Sequence, residues 1–173
     1  NDSSAKTILA GNPFLFRKLI KIANNCPELQ RIIPVFDDYE KYLPERGLNA
    51  GVISFSNLIE EGKNALERQG KKIEEARAAI LPSDLTSLIY TSGTTGIPKG
   101  VMLTHSNFVQ NVKVCLEQIP VINENDVFLS FLPLSHVFER TATYHVCCAV
   151  GSKIAFAQSL ELLAKNMAEV KPT

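Results

Sequence analysis

Residues 90–100 read YTSGTTGIPKG. Three glycines, four aliphatic hydroxyls and one lysine fall within these eleven positions. That mixture suits phosphate. Glycine lets backbone N–H groups turn inward, hydroxyls add donors, and an ammonium adds charge. Pro98 biases Ile97 towards extended geometry, so Lys99 is presented from a defined backbone. Thr91, Ser92, Thr94 and Thr95 are candidate donors to phosphate oxygens, and one of their hydroxyls is a candidate Mg²⁺ ligand. The competing reading is a polar turn with an incidental lysine, since Gly/Ser/Thr clusters are common turn material.

Two familiar nucleotide signatures do not fit. A Walker A loop has glycine directly before its lysine and serine or threonine after it, whereas here Pro98 precedes Lys99 and Gly100 follows. The spacing of Gly93 and Gly96 also misses the GxGxxG dinucleotide fingerprint.

Outward from the loop, residues 85–91 (LTSLIYT) read as a compact β run entering it. Residues 103–119 form a helix candidate, with Thr104 as N-cap and Phe108, Val112, Cys115, Leu116 and Ile119 on one face. DVFLSFLP is a buried strand, LSHVFERTATYHVCCAV a helix ending near Gly151, SKIAFA a strand, and SLELLAKNMAEV a helix closed by Pro172. Upstream, residues 5–10 read as a strand. A helix capped by Asn12 and Pro13 then runs to about Asn24, with Leu15, Leu19 and Ile22 on one face. LQRIIPVFD is a second strand. VISFSNLIEEGKNALERQ gives a short strand and a helix capped by Ser56, with Leu58, Ile59 and Leu66 on its apolar face. Residues 71–83 read as helix or linker. Alternating strands and helices predict an α/β fold with a largely parallel sheet flanked by helices.

Composition narrows the function classes. Apolar residues at 45% and charged residues at 21% are globular values. The formal net charge of zero gives no electrostatic footprint for nucleic acid. No apolar run approaches the roughly 18 residues of a membrane span, and the opening NDSSAKTILAGNPF lacks a secretory-signal pattern. Cys26, Cys115, Cys147 and Cys148 form no CxxC pair and read as buried, reduced thiols, which suggests a cytoplasmic setting. His145 with Cys147 and Cys148 matches no zinc spacing. The first residue is not methionine and the last follows an apparent helix. The expectation is an internal piece of a longer protein.

YTSGTTGIPKG resembles the signature loop of the adenylate-forming superfamily, which includes acyl-CoA synthetases, luciferases and peptide-synthetase adenylation domains. VMLTHSNF and FLSFLPLSHVFER resemble its next two motifs, and the LPLSHVFER form resembles the long-chain fatty acid–CoA ligases. Residues 1–84 resemble the same ligases loosely, and residues 85–173 carry the motifs. The whole would be part of one N-terminal adenylation domain. The resemblance implies a carboxylate activated by ATP as an acyl-adenylate, then transferred to coenzyme A. It implies a phosphate cradle of Thr91, Ser92, Gly93, Thr94, Thr95, Gly96 and Lys99, with Thr91 nearest Mg²⁺ and Lys99 stabilising the departing pyrophosphate.

Unaided by the family, His136 near a helix start reads as a packed or capping residue. With the motif it is expected near the acyl carboxylate or α-phosphate, orienting rather than exchanging protons. Phe138 is an acyl-pocket wall or a core aromatic, Glu139 and Arg140 a solvated helix pair, and His105 structural. The family's YGxTE-like segment, TGD aspartate and hinge into a C-terminal domain are not among the 173 residues. The isolated chain is therefore expected to be inactive, to bind ATP weakly and to self-associate. A stand-alone phosphate-binding module and another adenylate-forming ligase are the alternatives. For the parent enzyme the expected partners are fatty acid, ATP and coenzyme A, not nucleic acid, with room for peripheral membrane contact.

Overall fold

Asn12 and Pro13 set the first helix, as their chemistry requires. In a computed structural model, whose described residues are 2–91 and 98–173, Asn12 is extended and its Oδ1 accepts from the Leu15 N–H at 2.9 Å. Pro13 opens helix α1 (Pro13–Ile22), where its missing N–H costs nothing. The chain forms two units, Asn1–Ala79 and Ile80–Thr173, and each is described by itself.

In the first unit, strands β1 (Thr7–Ala10), β2 (Arg31–Pro34) and β3 (Gly51–Val52) pair parallel in that order. Thr7 lies beside Arg31, and Arg31 beside Gly51. Helix α1 turns Phe16 into the core, fully buried. Leu15 and Ile22, expected on the inner face, are 49% and 54% exposed. The inward stripe is instead Phe16, Leu19, Ile20 and Ala23, spaced i, i+3, i+4, i+7. Of the two phenylalanines on α1, Phe16 is buried and Phe14 is 57% exposed. The Phe16 ring meets Phe36 edge-on at 5.7 Å and Tyr39 at 6.1 Å, an arrangement that adds to area burial.

Helix α2 (Phe55–Ala78) is capped by Ser54, whose Oγ accepts from the Asn57 N–H at 3.1 Å. Ser56, the expected cap, sits inside the first turn. The expected apolar face is not a core face either, because α2 buries no residue. It passes through the charged 71–78 segment as helix, with one non-helical residue, Gln69, just before Gly70.

In the second unit, β4 (Leu85–Thr91) and β5 (Lys99–Thr104) form an antiparallel hairpin, while β6 (Val127–Ser130) and β7 (Lys153–Phe156) pair parallel. The α/β architecture and the parallel pairing are as expected; the hairpin is not. Its physical cause is length, since a parallel crossover needs a dozen or more residues and the segment joining β4 to β5 is far shorter. Helix α3 (His105–Gln118) begins on a reciprocal capping box. The Asn107 N–H donates to Thr104 Oγ1 at 3.3 Å, and the Thr104 N–H to Asn107 Oδ1 at 2.9 Å.

A π-helical run, Glu139–His145, leads into α4 (Val146–Val150). Gly151 then stops the chain in the left-handed region at φ +82°. Helix α5 (Leu163–Val170) follows β7. Buried Asn166 ties it back, accepting from the Gln158 N–H at 2.9 Å. At the end of the chain the Thr173 N–H donates to the Val127 carbonyl at 3.2 Å. The four thiols are free, and only Cys147 is fully buried; Cys148 is exposed, against expectation. No helix among the described residues is long and apolar enough to cross a membrane.

Candidate functional site

The hairpin fixes how the glycine loop leaves and re-enters the fold. Thr91 and Lys99 are direct register partners across β4 and β5, and Tyr90 faces Gly100. A hydroxyl and an ammonium are thereby set side by side at the root of the loop. A Cβ at Gly100 would lie 3.1 Å from Cζ of the Tyr90 ring, so a larger residue there would need that ring to shift by a few tenths of an ångström. Ser92, Gly93, Thr94, Thr95 and Gly96, the remaining members of the expected cradle, lie outside the described residues.

The donor set at the loop's root fits an anion. Lys99 is exposed and makes no ion pair among the described residues. From Leu85 to Leu116 the sequence contains no Asp or Glu, but it does contain Lys99 and Lys113. An exposed ammonium with no ion-pair partner among the described residues is the arrangement that attracts phosphate as a point-charge contact. Mg²⁺ fits less fully. Thr91 offers one neutral oxygen, and Mg²⁺ is ordinarily held by carboxylates together with substrate phosphates.

The start of α3 offers little to an anion, although it follows the loop. Its first N–H groups are already used. His105 donates to the Asp84 carbonyl at 3.1 Å, Ser106 to the Pro82 carbonyl at 2.8 Å, and Asn107 to Thr104. His105 thus anchors its helix through its backbone, while its half-buried ring lines an apolar cleft of about 520 Å³ with Phe108, Val112, Leu116 and His145. Burial, with a further contribution from Arg140, holds the His145 imidazole below the usual histidine value. The ring also stacks at a tilt on Phe108, 4.9 Å between centroids.

His136 occupies the turn before the π-helical run. Its own N–H donates to the Pro133 carbonyl at 2.8 Å, and its carbonyl accepts from the Arg140 N–H at 3.1 Å. Its Nδ1 accepts from the Phe138 N–H at 3.3 Å. The ring is a helix cap, as the reading without the family expects, and it is also exposed. An imidazole whose Nδ1 accepts and that carries one proton has it on Nε2, which can then donate. Phe138 is 61% exposed in this chain.

Glu139 and Arg140 overturn the expectation of a solvated pair. Glu139 is 2% exposed, and its Oε1 is enclosed without a donor among the described residues. Arg140 is half-buried. Its Nη1 donates to Ser87 Oγ at 2.8 Å and its Nε to the Leu134 carbonyl at 3.1 Å. Sequence reasoning missed this pair of contacts. The available signal was Ser87, a half-buried serine on a strand whose flanking Thr86 and Leu88 are exposed. Thr91, Lys99 and His136 do not line the clefts described for this unit. The structure gives each a local setting and connects their elements through Arg140.

The family model of AMP-binding enzymes matches residues 1–173. The long-chain-fatty-acid–CoA ligase 1 of Cavia porcellus is 35% identical over 179 aligned residues, covering all of this chain and 24% of that protein. The human long-chain-fatty-acid–CoA ligase 6 is 37% identical over 83% of this chain and 20% of its own length. Among solved structures, a long-chain-fatty-acid-CoA ligase from Archaeoglobus fulgidus superposes with a TM-score of 0.64 at 21% identity, covering all of this chain and 30% of that one. At that identity the likeness speaks for the fold. The chain spans about a quarter of the length of the curated relatives it matches. With a whole-length family match and the loop signature in place, the chain belongs to the AMP-binding enzyme family.

Proposed function

We propose that these residues supply the phosphate loop and one wall of the activation site in an ATP-dependent long-chain fatty acid–CoA ligase. The observation that carries the proposal is Lys99, an exposed ammonium with no ion-pair partner among the described residues, beside Thr91 at the root of a glycine loop. In the first step a carboxylate oxygen bonds to the α-phosphorus of ATP and the bond to the bridging oxygen breaks, releasing pyrophosphate. Lys99 stabilises the charge that builds on the departing pyrophosphate. Backbone and hydroxyl donors of residues 91–96 hold its oxygens. Nε2–H of His136 donates to a carboxylate or α-phosphate oxygen and orients it. In the second step the thiol sulfur of coenzyme A bonds to the acyl carbon, and AMP leaves. Mg²⁺ would neutralise phosphate charge, with Thr91 as its one ligand from this chain and the nucleotide's oxygens as others.

The proposal places the enzyme in the cytoplasm, with peripheral contact to the membranes that hold its substrate. The 173-residue piece alone is taken to be inactive and to associate with itself, because Met102, Phe131, Phe156 and Leu160 are exposed apolar side chains on its second unit. Light scattering tests that last point, and a monomer across a broad concentration range refutes it. The main test is ATP–pyrophosphate exchange by the complete gene product, offered long-chain fatty acids, acetate and aryl acids. Exchange strongest with long-chain acids is expected. A preference for acetate or an aryl acid overturns the substrate class, and no exchange with any acid overturns the reaction.

A further inference from the structure

We propose that Arg140 is a positioning residue that locks the strand entering the phosphate loop to the turn carrying His136. The inference rests on the function proposed above for its kinetic consequence, but its geometry stands independently. One guanidinium makes two contacts to two different elements. Nη1 reaches Ser87 Oγ on β4 at 2.8 Å, and Nε reaches the carbonyl of Leu134 at 3.1 Å, two residues before His136. The backbone of Arg140 adds a third tie, donating to the His136 carbonyl at 3.1 Å.

Both ends of the clamp sit where the backbone departs from regularity. On β4 the pairing with β5 slips between Leu85 and Ser87, an irregularity of the kind that re-aims a strand and its side chains. From Ser87 the strand runs on in register to Thr91, beside Lys99. On the other side Arg140 belongs to a π-helical run, a geometry that shifts side chains off the regular helical face and is frequent at functional sites. Arginine is the residue suited to such a task. Its planar fork presents several donors in fixed directions, whereas lysine has one compact head. The two hydrogen bonds share a rigid group, so displacement of β4 is transmitted to the His136 turn. The loop's charge and the histidine's Nε2–H are thereby held in one frame, and misplacement by about 1 Å in such a frame can cost 10²-fold in rate.

Ser87→Ala removes only a hydroxyl and is the mild probe; Arg140→Gln removes the clamp; the double variant completes the cycle. In the complete gene product we expect Ser87→Ala and Arg140→Gln each to lower kcat for adenylation, the latter about 10- to 100-fold, with KM for ATP changed less. The double variant should be no slower than Arg140→Gln. Arg140→Lys should not restore the rate, because it cannot serve both acceptors. Amide hydrogen exchange supplies a readout independent of activity. Both single variants should speed exchange at β4 and at residues 136–140 together. Wild-type kcat in Arg140→Gln, or purely additive losses, overturns the kinetic role. Unchanged exchange at either element overturns the clamp itself. If the wild-type protein has no adenylation activity, the proposed function fails, and the exchange measurement still decides the clamp.

Discussion

Replacing Lys99 by alanine separates a charge that acts on the reaction from one that holds the fold. The ammonium is exposed and has no ion-pair partner among the described residues. Its strand is held by backbone pairing to β4, which alanine keeps. Removing such a side chain changes stability by about 0.5 kcal/mol or less. The cost to catalysis is much larger. A unit charge about 4 Å from a phosphate oxygen is worth about 4 kcal/mol at an effective dielectric constant near 20. Loss of one preorganised charge-stabilising donor costs about 2.7–4 kcal/mol. Since about 1.4 kcal/mol is a factor of ten, adenylation should slow by about 10²- to 10³-fold. The assay is single-turnover formation of acyl-adenylate by the complete gene product, alongside thermal unfolding of the same preparation. An unchanged rate removes Lys99 from the mechanism. A slow enzyme with an equally lowered melting temperature would refute the claim that the charge is free of structural duty.

Three further outcomes follow from the packing. Phe16→Ala should cost about 3–5 kcal/mol, because the ring is fully buried against Phe36 and Tyr39; hydrogen exchange should show the loss in residues 1–79, and a change under 1 kcal/mol would refute the core assignment. Gly151→Ala forces a Cβ into the left-handed region at φ +82° and should cost about 1–2 kcal/mol in a denaturant titration; a neutral result would show that the α4 stop does not depend on glycine. His145 has a folded pKa below its ordinary value, so the unfolded chain takes up the proton first as pH falls. Stability should be unaffected by this group above about pH 6.5 and should decline as pH falls from there towards the folded value. His145→Gln should flatten that part of the profile, and an unchanged profile would exclude the residue.

The local signals in the sequence were strong where the physics is local. Asn12 with Pro13, Thr104, and Gly151 are capping chemistry, decided within four residues, and the structure places each where the sequence does. The β run 85–91 was legible to the residue because its boundaries are composition changes. The loop motif likewise identified the family from a short stretch. Rotation and pairing were not legible in the same way. Which face of α1 turns inward depended on whether Phe16 or Leu15 met the sheet, a choice made by Phe36 and Tyr39 some twenty residues away. Ser54 rather than Ser56 caps α2, since β3 ends at Val52 and the helix already begins at Phe55. Arg140 looked like a surface charge from its neighbours in sequence. Its acceptor, Ser87, lies 53 positions away. Capping and turn chemistry are short-range and so are written in adjacent residues, whereas a half-buried guanidinium finds its partners only when distant segments pack. The sequence therefore names the phosphate loop, and the tertiary structure alone decides which strand and turn Arg140 bridges.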